Sequence, residues 1–350
     1  MDKSIIYFGY NNIFDHKRGV ENVIEFQSLS SQNKKNYYIH WDSKNIIYHH
    51  KNLICIGIKK NYCWIYTLNI YLFKIKQKKA KFKIHSHNPL MSFFSLLKTN
   101  IFTVHDSLYF LNFSKKHKYL QIFKHIERLV YKKTDIVHFI SHYTKKNSLY
   151  SKKNNNYVII HNSSHFENHK VDKEEVKNNY TRNILVVRGI EERSRIDLIV
   201  ELSNYLRNEN YSIKVAGKGP LLDFFKNKIL DQSLNNISFL GYITDDDLLK
   251  LYIECDFVLM TAEYGEGFGL PIIEGYLFNK PVIASNKCAI PEIIFSSDFL
   301  FENTVESIVE KINFVFENNN HDFNKYYLNR FSNSVISSEY RKLYKSIFQC

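Results

Sequence analysis

Glycine and proline are scarce in this chain, at 11 and 5 of 350 residues. So few turn-formers leave no low-complexity tract, and any local cluster of glycines becomes informative. The five cysteines, Cys55, Cys63, Cys255, Cys288 and Cys350, contain no C-x-x-C pair. Their odd number fits reduced thiols in a cytosolic protein better than a disulfide framework. No apolar run approaches the ~20 residues that cross a bilayer. Met1-Asp2-Lys3-Ser4 leads straight into Ile5-Ile6-Tyr7-Phe8, with no secretory leader in view. The expectation is a cytoplasmic protein, soluble or peripheral at the membrane. No repeat of solenoid period stands out. One further absence is local: residues 51–100 hold ten lysines and no acid.

What the chain does have is length and aromatic bulk. At 350 residues, with 25 Tyr and 27 Phe, it can build two domains with separate cores. Charge divides them. Residues 1–165 carry 27 Lys and Arg against 8 Asp and Glu, a net of 27 − 8 = +19. The remainder carries 21 against 27, or −6. A basic first half points to an anionic membrane or a polyanion. No nucleic-acid-binding module accompanies it, so nucleic acid is not expected as a partner.

Short apolar runs alternate with helical stretches in both halves. Strands are expected at Ile5–Gly9, Tyr37–His40, Leu53–Gly57, Lys81–His85, Asn100–Val104, Thr134–Ser141 and Tyr157–Ser163. After a polar stretch from Glu167 to Arg182, they resume at Asn183–Val187, Ser212–Ala216, Ile237–Tyr242, Phe257–Met260 and Pro281–Ala284. A helix is expected from about Tyr62 to Lys79, aromatic early and lysine-rich late. The fold class is α/β, with two doubly wound sheets. Ligands of such sheets sit at the carboxyl ends of strands. That makes His105, at the end of Asn100–Val104, a candidate. His85 and His87, at i and i+2, have no acid or cysteine beside them to complete a metal site.

Three glycines cluster at Tyr264-Gly265-Glu266-Gly267-Phe268-Gly269-Leu270-Pro271-Ile272-Ile273-Glu274. The stretch reads strand, glycine-rich turn, helix, strand. Pro271 suits a first helical position and Asn279 a helix end. Free N–H groups at such a helix start attract an anion. Glu266 on the loop and Glu274 in the helix's first turn can border the same pocket, where carboxylates accept from sugar hydroxyls.

Glu266 and Glu274, with Gly-Phe-Gly-Leu-Pro between them, resemble the Glu-x7-Glu motif of retaining glycosyltransferases of family 4, the glycosyl transferases group 1. The resemblance implies the GT-B architecture, two Rossmann-like domains facing across a cleft. Residues 1–170 would bind the acceptor, and a last helix at about 332–350 would pack back on them. Residues 171–331 would bind the nucleotide-sugar donor. Weaker likenesses follow the same order along the chain. Thr103-Val104-His105-Asp106 is similar to an element whose histidine meets the donor sugar. Gly19 stands where the family has two glycines. Arg188 matches the first of two diphosphate-binding cations, and Arg193 or Arg195 the second. Gly217 and Gly219, in Gly-Lys-Gly-Pro, resemble a turn passing near the nucleotide.

The family pattern implies roles for these residues. Glu274 would hold the ribose, and Glu266 a hydroxyl of the transferred sugar. Arg188, Arg193 and the amides around Gly267, Phe268, Gly269 and Leu270 would stabilise the leaving diphosphate. His105 would hydrogen-bond the sugar or stabilise charge. No Asp-x-Asp placed for a donor metal is present, so no cofactor and no metal are expected. The acceptor would be a glycan or a polyprenyl- or lipid-linked sugar, in polysaccharide or lipopolysaccharide biosynthesis. A non-catalytic scaffold that binds nucleotide sugars or polyanions is the alternative.

Overall fold

The structure, a computed structural model, describes residues 3–14, 19–78, 81–105, 120–150, 156–169, 181–318 and 320–349. Arg18, Lys79, Asp106 and Cys350 lie outside the described residues, as does most of the polar stretch between Glu167 and Arg182. The chain forms two compact units. The first is Met1–His165 together with Asn333–Cys350, and the second is Phe166–Ser332. The divisions thus fall at 165/166 and 332/333, where the sequence suggested 170/171 and 331/332.

Among the described residues the first unit holds an eight-stranded sheet: β1 (Lys3–Phe8), β2 (Asn36–Asp42), β3 (Ile46–His50), β4 (Leu53–Lys59), β5 (Lys81–Ser86), β6 (Ile101–Val104), β7 (Ile136–Phe139) and β8 (Asn156–Ile159). Their spatial order is β3-β4-β2-β1-β5-β6-β7-β8. All pairs are parallel except β3 with β4. The chain reverses its direction of travel between β1 and β5, so the switch point of this sheet lies beyond Phe8 and Ser86. There the His87 N–H donates to the Phe8 carbonyl at 2.8 Å.

The last helix, Asn333–Gln349, belongs to this unit. Ile336, Tyr340, Leu343, Tyr344 and Ile347 recur at helical spacing and pack with Ile5, Tyr7, Ile24 and Tyr38. The expected basic helix runs Trp64–Lys78, with Tyr62 just ahead of it. It buries Leu68, Leu72 and Ile75 and leaves Tyr62, Tyr66, Phe73, Lys74, Lys76 and Lys78 exposed.

The second unit holds β9 (Arg182–Val187), β10 (Tyr211–Ala216), β11 (Ile237–Gly241), β12 (Phe257–Met260), β13 (Val282–Ser285) and β14 (Leu300–Phe301). The order is β11-β10-β9-β12-β13-β14, parallel throughout. Such a sheet is covered on both faces, which is why β9 and β12 read as unbroken apolar runs. Its switch point lies between β9 and β12. The two segments that leave the sheet there begin at Arg188 and at Thr261.

Candidate functional site

Glycine brings the loops after β9 and β10 together. Gly217 has φ +146°, and a Cβ on it would lie 1.8 Å from the Arg188 carbonyl oxygen. A Cβ on Gly219 would lie 2.2 Å from the Ile190 carbonyl oxygen. These two positions therefore need glycine to pack the β10 loop against the backbone that carries Arg188. Closing of the backbone is the first reason for the Gly-Lys-Gly-Pro turn, whatever ligand passes over it.

Arg188 meets Glu266 across the switch point. Its Nη1 donates to Glu266 Oε2 in an ion pair. The Arg188 side chain is only 7% exposed, and its Nε is buried without a partner among the described residues. Burial pushes the Glu266 carboxyl up. The Arg188 charge and hydrogen bond, then Arg193 and the Phe268 N–H, more than offset this and hold it below the usual carboxylate range. Glu266 is therefore an anion at neutral pH, and acts as an acceptor rather than as an acid.

Arg193 donates from Nη1 to the Gly265 carbonyl at 2.8 Å and from Nε to Glu191 at 3.2 Å. It thus lies along the loop that carries Glu266. Arg195 is turned elsewhere. It caps the helix Ile196–Tyr205 in the left-handed region, φ 51°. Its guanidinium is held by Asp197 at 2.9 Å and by Glu263 at 2.8 Å. Those carboxylates offset the unfavourable placing of a cation at a helix start.

The helix Leu270–Leu277 begins at Gly269, whose φ of 95° favours glycine. Two local expectations need correction. Pro271 is the second helical residue, since Leu270 is the first. Glu274 is the fifth residue of the helix and so lies in its second turn, not its first. Its side chain is buried, and Tyr252 donates to its Oε2 at 2.7 Å. Burial, then the Glu274 charge, raises the Tyr252 hydroxyl, so it stays a donor. Tyr252 orients Glu274 from the helix Asp245–Glu254, and no spacing in the sequence marks that pairing. Asn279, at φ 57°, follows the helix end as expected.

The first unit places its candidates separately. Gly19 is the first residue of the helix Gly19–Ser30. His105 follows β6, and its Nε2 lies 2.7 Å from His87 Nδ1. Burial and the neighbouring His138 lower the His105 pKa to about 3, so the ring is neutral at physiological pH. Among the described residues no cluster of three or more His, Cys, Asp or Glu side chains could hold a metal ion.

Residues 167–330, inside the second unit, match the family model for glycosyl transferases group 1. An uncharacterized 41.2 kDa protein in the cps region of Klebsiella pneumoniae is 24% identical over 261 residues, 70% of each chain. The O-antigen chain mannosyltransferase B of Escherichia coli is 37% identical over 73 residues, which are 21% of this chain and 19% of that one. Among solved structures, Anabaena Alr3699/HepE in complex with UDP-glucose matches with a TM-score of 0.78 at 14% identity, covering 98% of this chain and 99% of the other. The chain therefore has the two-domain α/β fold of GT-B glycosyltransferases.

Proposed function

We propose, with the group 1 glycosyl transferase match of residues 167–330 as premise, that this chain is a retaining glycosyltransferase using a nucleotide-sugar donor. The observation that carries the reading is the Arg188–Glu266 ion pair at the switch point of the second sheet. A buried cation and an ionised acceptor stand together where open α/β sheets take their ligands. As the bond from sugar to phosphate breaks, negative charge grows on the diphosphate. Arg188 stabilises it, with Arg193 and the amides from Gly267 to Leu270. Arg193 is favoured over Arg195 as the second cation because it lies on the Glu266 loop, while Arg195 is committed to Asp197 and Glu263. Glu266 accepts from a hydroxyl of the transferred sugar. Glu274, braced by Tyr252, accepts from the ribose. The first unit takes the acceptor, and His105 meets the sugar.

No metal takes part in this scheme, because two arginines and the helix-start amides supply the positive charge. A thermal-shift panel of UDP-, GDP- and other nucleotide sugars tests the donor assignment. A donor at a hundred times its Kd stabilises the protein by about 2.7 kcal/mol, so the midpoint rises measurably. EDTA is expected to leave both the shift and turnover unchanged. No shift with any nucleotide sugar counts against donor binding, and turnover lost to EDTA but restored by Mn²⁺ counts against metal independence.

The acceptor is a glycan or a lipid-linked sugar of a cell-surface polysaccharide or lipopolysaccharide. Two features support a place at the cytoplasmic membrane face. One is the +19 charge of residues 1–165. The other is the exposed Tyr62, Tyr66 and Phe73 beside Lys74, Lys76 and Lys78. Each lysine near anionic lipid contributes about 1 kcal/mol, and salt screens it. The protein is expected to sediment with anionic vesicles at low salt and to be released at about 0.5 M salt. Protein left in the supernatant at low salt rules the docking out.

A further inference from the structure

Four histidines inside the first unit belong to one run of hydrogen bonds, and their protons can be placed one at a time. The Ile160 carbonyl only accepts. His138 Nε2 lies 3.0 Å from it, so His138 carries its proton on Nε2. Burial lowers the His138 pKa to about 4, which keeps Nδ1 bare at neutral pH. Thr103 Oγ1, 2.8 Å from that Nδ1, donates to it and accepts from His85 Nε2 at 2.7 Å. His85 Nδ1 then accepts from the Tyr344 hydroxyl at 3.0 Å, and Tyr344 accepts from Tyr7 at 3.2 Å. Every member of this branch is satisfied.

A second branch leads to His105. The buried Tyr340 hydroxyl lies 3.5 Å from His138 Nε2 and 3.0 Å from the Gln27 amide nitrogen. The Gln27 amide oxygen lies 2.9 Å from His87 Nε2, and His87 Nδ1 lies 2.7 Å from His105 Nε2. In this orientation Gln27 donates to Tyr340. His138 Nε2 already bears a proton, so the Tyr340 proton has no acceptor among the described residues. A half-turn of the amide exchanges its oxygen and nitrogen at the same distances. Tyr340 then donates to the amide oxygen and the amide NH₂ donates to His87 Nε2. His87 must now carry its proton on Nδ1 and donate to His105 Nε2. A buried donor left unmade is costly, so the turned form, which gains one bond, is favoured.

We propose that Gln27 is a positioning residue that, with its amide oxygen on Tyr340 and its NH₂ on His87, fixes His105 as the Nδ1–H tautomer. His105 then presents a hydrogen-bond donor at the end of β6, where Nδ1 has no partner among the described residues. A neutral N–H there takes an oxygen acceptor, either a sugar oxygen or an oxygen gaining negative charge. It does not move a proton, since its pKa of about 3 keeps the ring neutral while it donates. Naming that oxygen as part of a nucleotide sugar rests on the proposed function. The tautomer does not.

Long-range proton–nitrogen correlation of ¹⁵N-histidine-labelled protein, without ligand at pH 7.5, reads the tautomer directly. Single substitutions His87→Gln and His105→Gln assign the signals. We expect Nδ1–H at both His87 and His105. In Gln27→Met, of similar volume, both rings lose the constraint and their nitrogen shifts move toward the average of the two tautomers. Turnover falls in that variant while the donor KM holds. Nε2–H at His105 in the wild-type protein overturns the proposal. So does an unchanged His105 spectrum in Gln27→Met with native tryptophan fluorescence. Failure to find any sugar donor would sink the functional reading and leave the tautomer result standing.

Discussion

Arg188→Ala should lower the rate of sugar transfer at least about a hundredfold, the usual loss when one charge partner of a transition state is removed. The reason is geometric as well as electrostatic. Arg188 is held with 7% of its side chain exposed, so its charge is little screened by water. Alanine also leaves Glu266 as a part-buried carboxylate without its cation, which costs a further few kcal/mol of stability in the second unit. Arg188→Lys separates the two effects. It keeps the charge opposite Glu266 but loses the planar fork, so stability should largely recover while turnover stays depressed. Steady-state kinetics beside thermal melts decide the matter. Wild-type turnover in both variants would remove Arg188 from the chemistry.

Acid should weaken the first unit well before it reaches the carboxylates. His85, His87, His105 and His138 are held neutral by burial, and all have folded pKa values below the usual 6.5, His138 at about 4 and His105 at about 3. A depressed histidine pKa means that the unfolded chain binds the proton more tightly. The stability from neutral rings is thus fully present above pH 6.5 and is lost as pH falls from 6.5 toward 4. One ring with His138's shift contributes a loss on the order of 2 kcal/mol by pH 5. Both tryptophans, Trp41 and Trp64, lie in the first unit, packed edge to face at 4.6 Å. Their fluorescence reports on that unit alone. The urea midpoint by tryptophan fluorescence should fall clearly between pH 7 and pH 5. An unchanged midpoint would mean that the histidines titrate normally.

The parts of the structure legible in the sequence are those written in local pattern. Phe257–Met260 matches the expected strand residue for residue because a strand buried on both faces is a continuous apolar run. The spacing of Tyr340 and Tyr344 marks the last helix, and the family resemblance implies its attachment to the first unit, where it packs. The antiparallel strand Ile46–His50 and the two-residue strand Leu300–Phe301 leave no such pattern, the first because its alternating burial exposes apolar Ile47 and the second because it is too short for a period. Partnerships were the least legible. Tyr252 reaches Glu274 from 22 residues away, and Gln27 reaches Tyr340 from 313. Nothing local in the sequence encodes such distances. Glu274 falls in the second turn rather than the expected first because the cap at Gly269 sets the count.

Proton NMR of the donor and product during turnover follows sugar transfer and its stereochemistry together. Incubated with the nucleotide sugar that stabilises it and a glycan or lipid-linked acceptor, the protein should consume the donor and release nucleoside diphosphate. The new glycoside should keep the donor's anomeric configuration. An inverted anomeric configuration would contradict retention, and a donor bound but never consumed with any such acceptor would contradict glycosyl transfer itself.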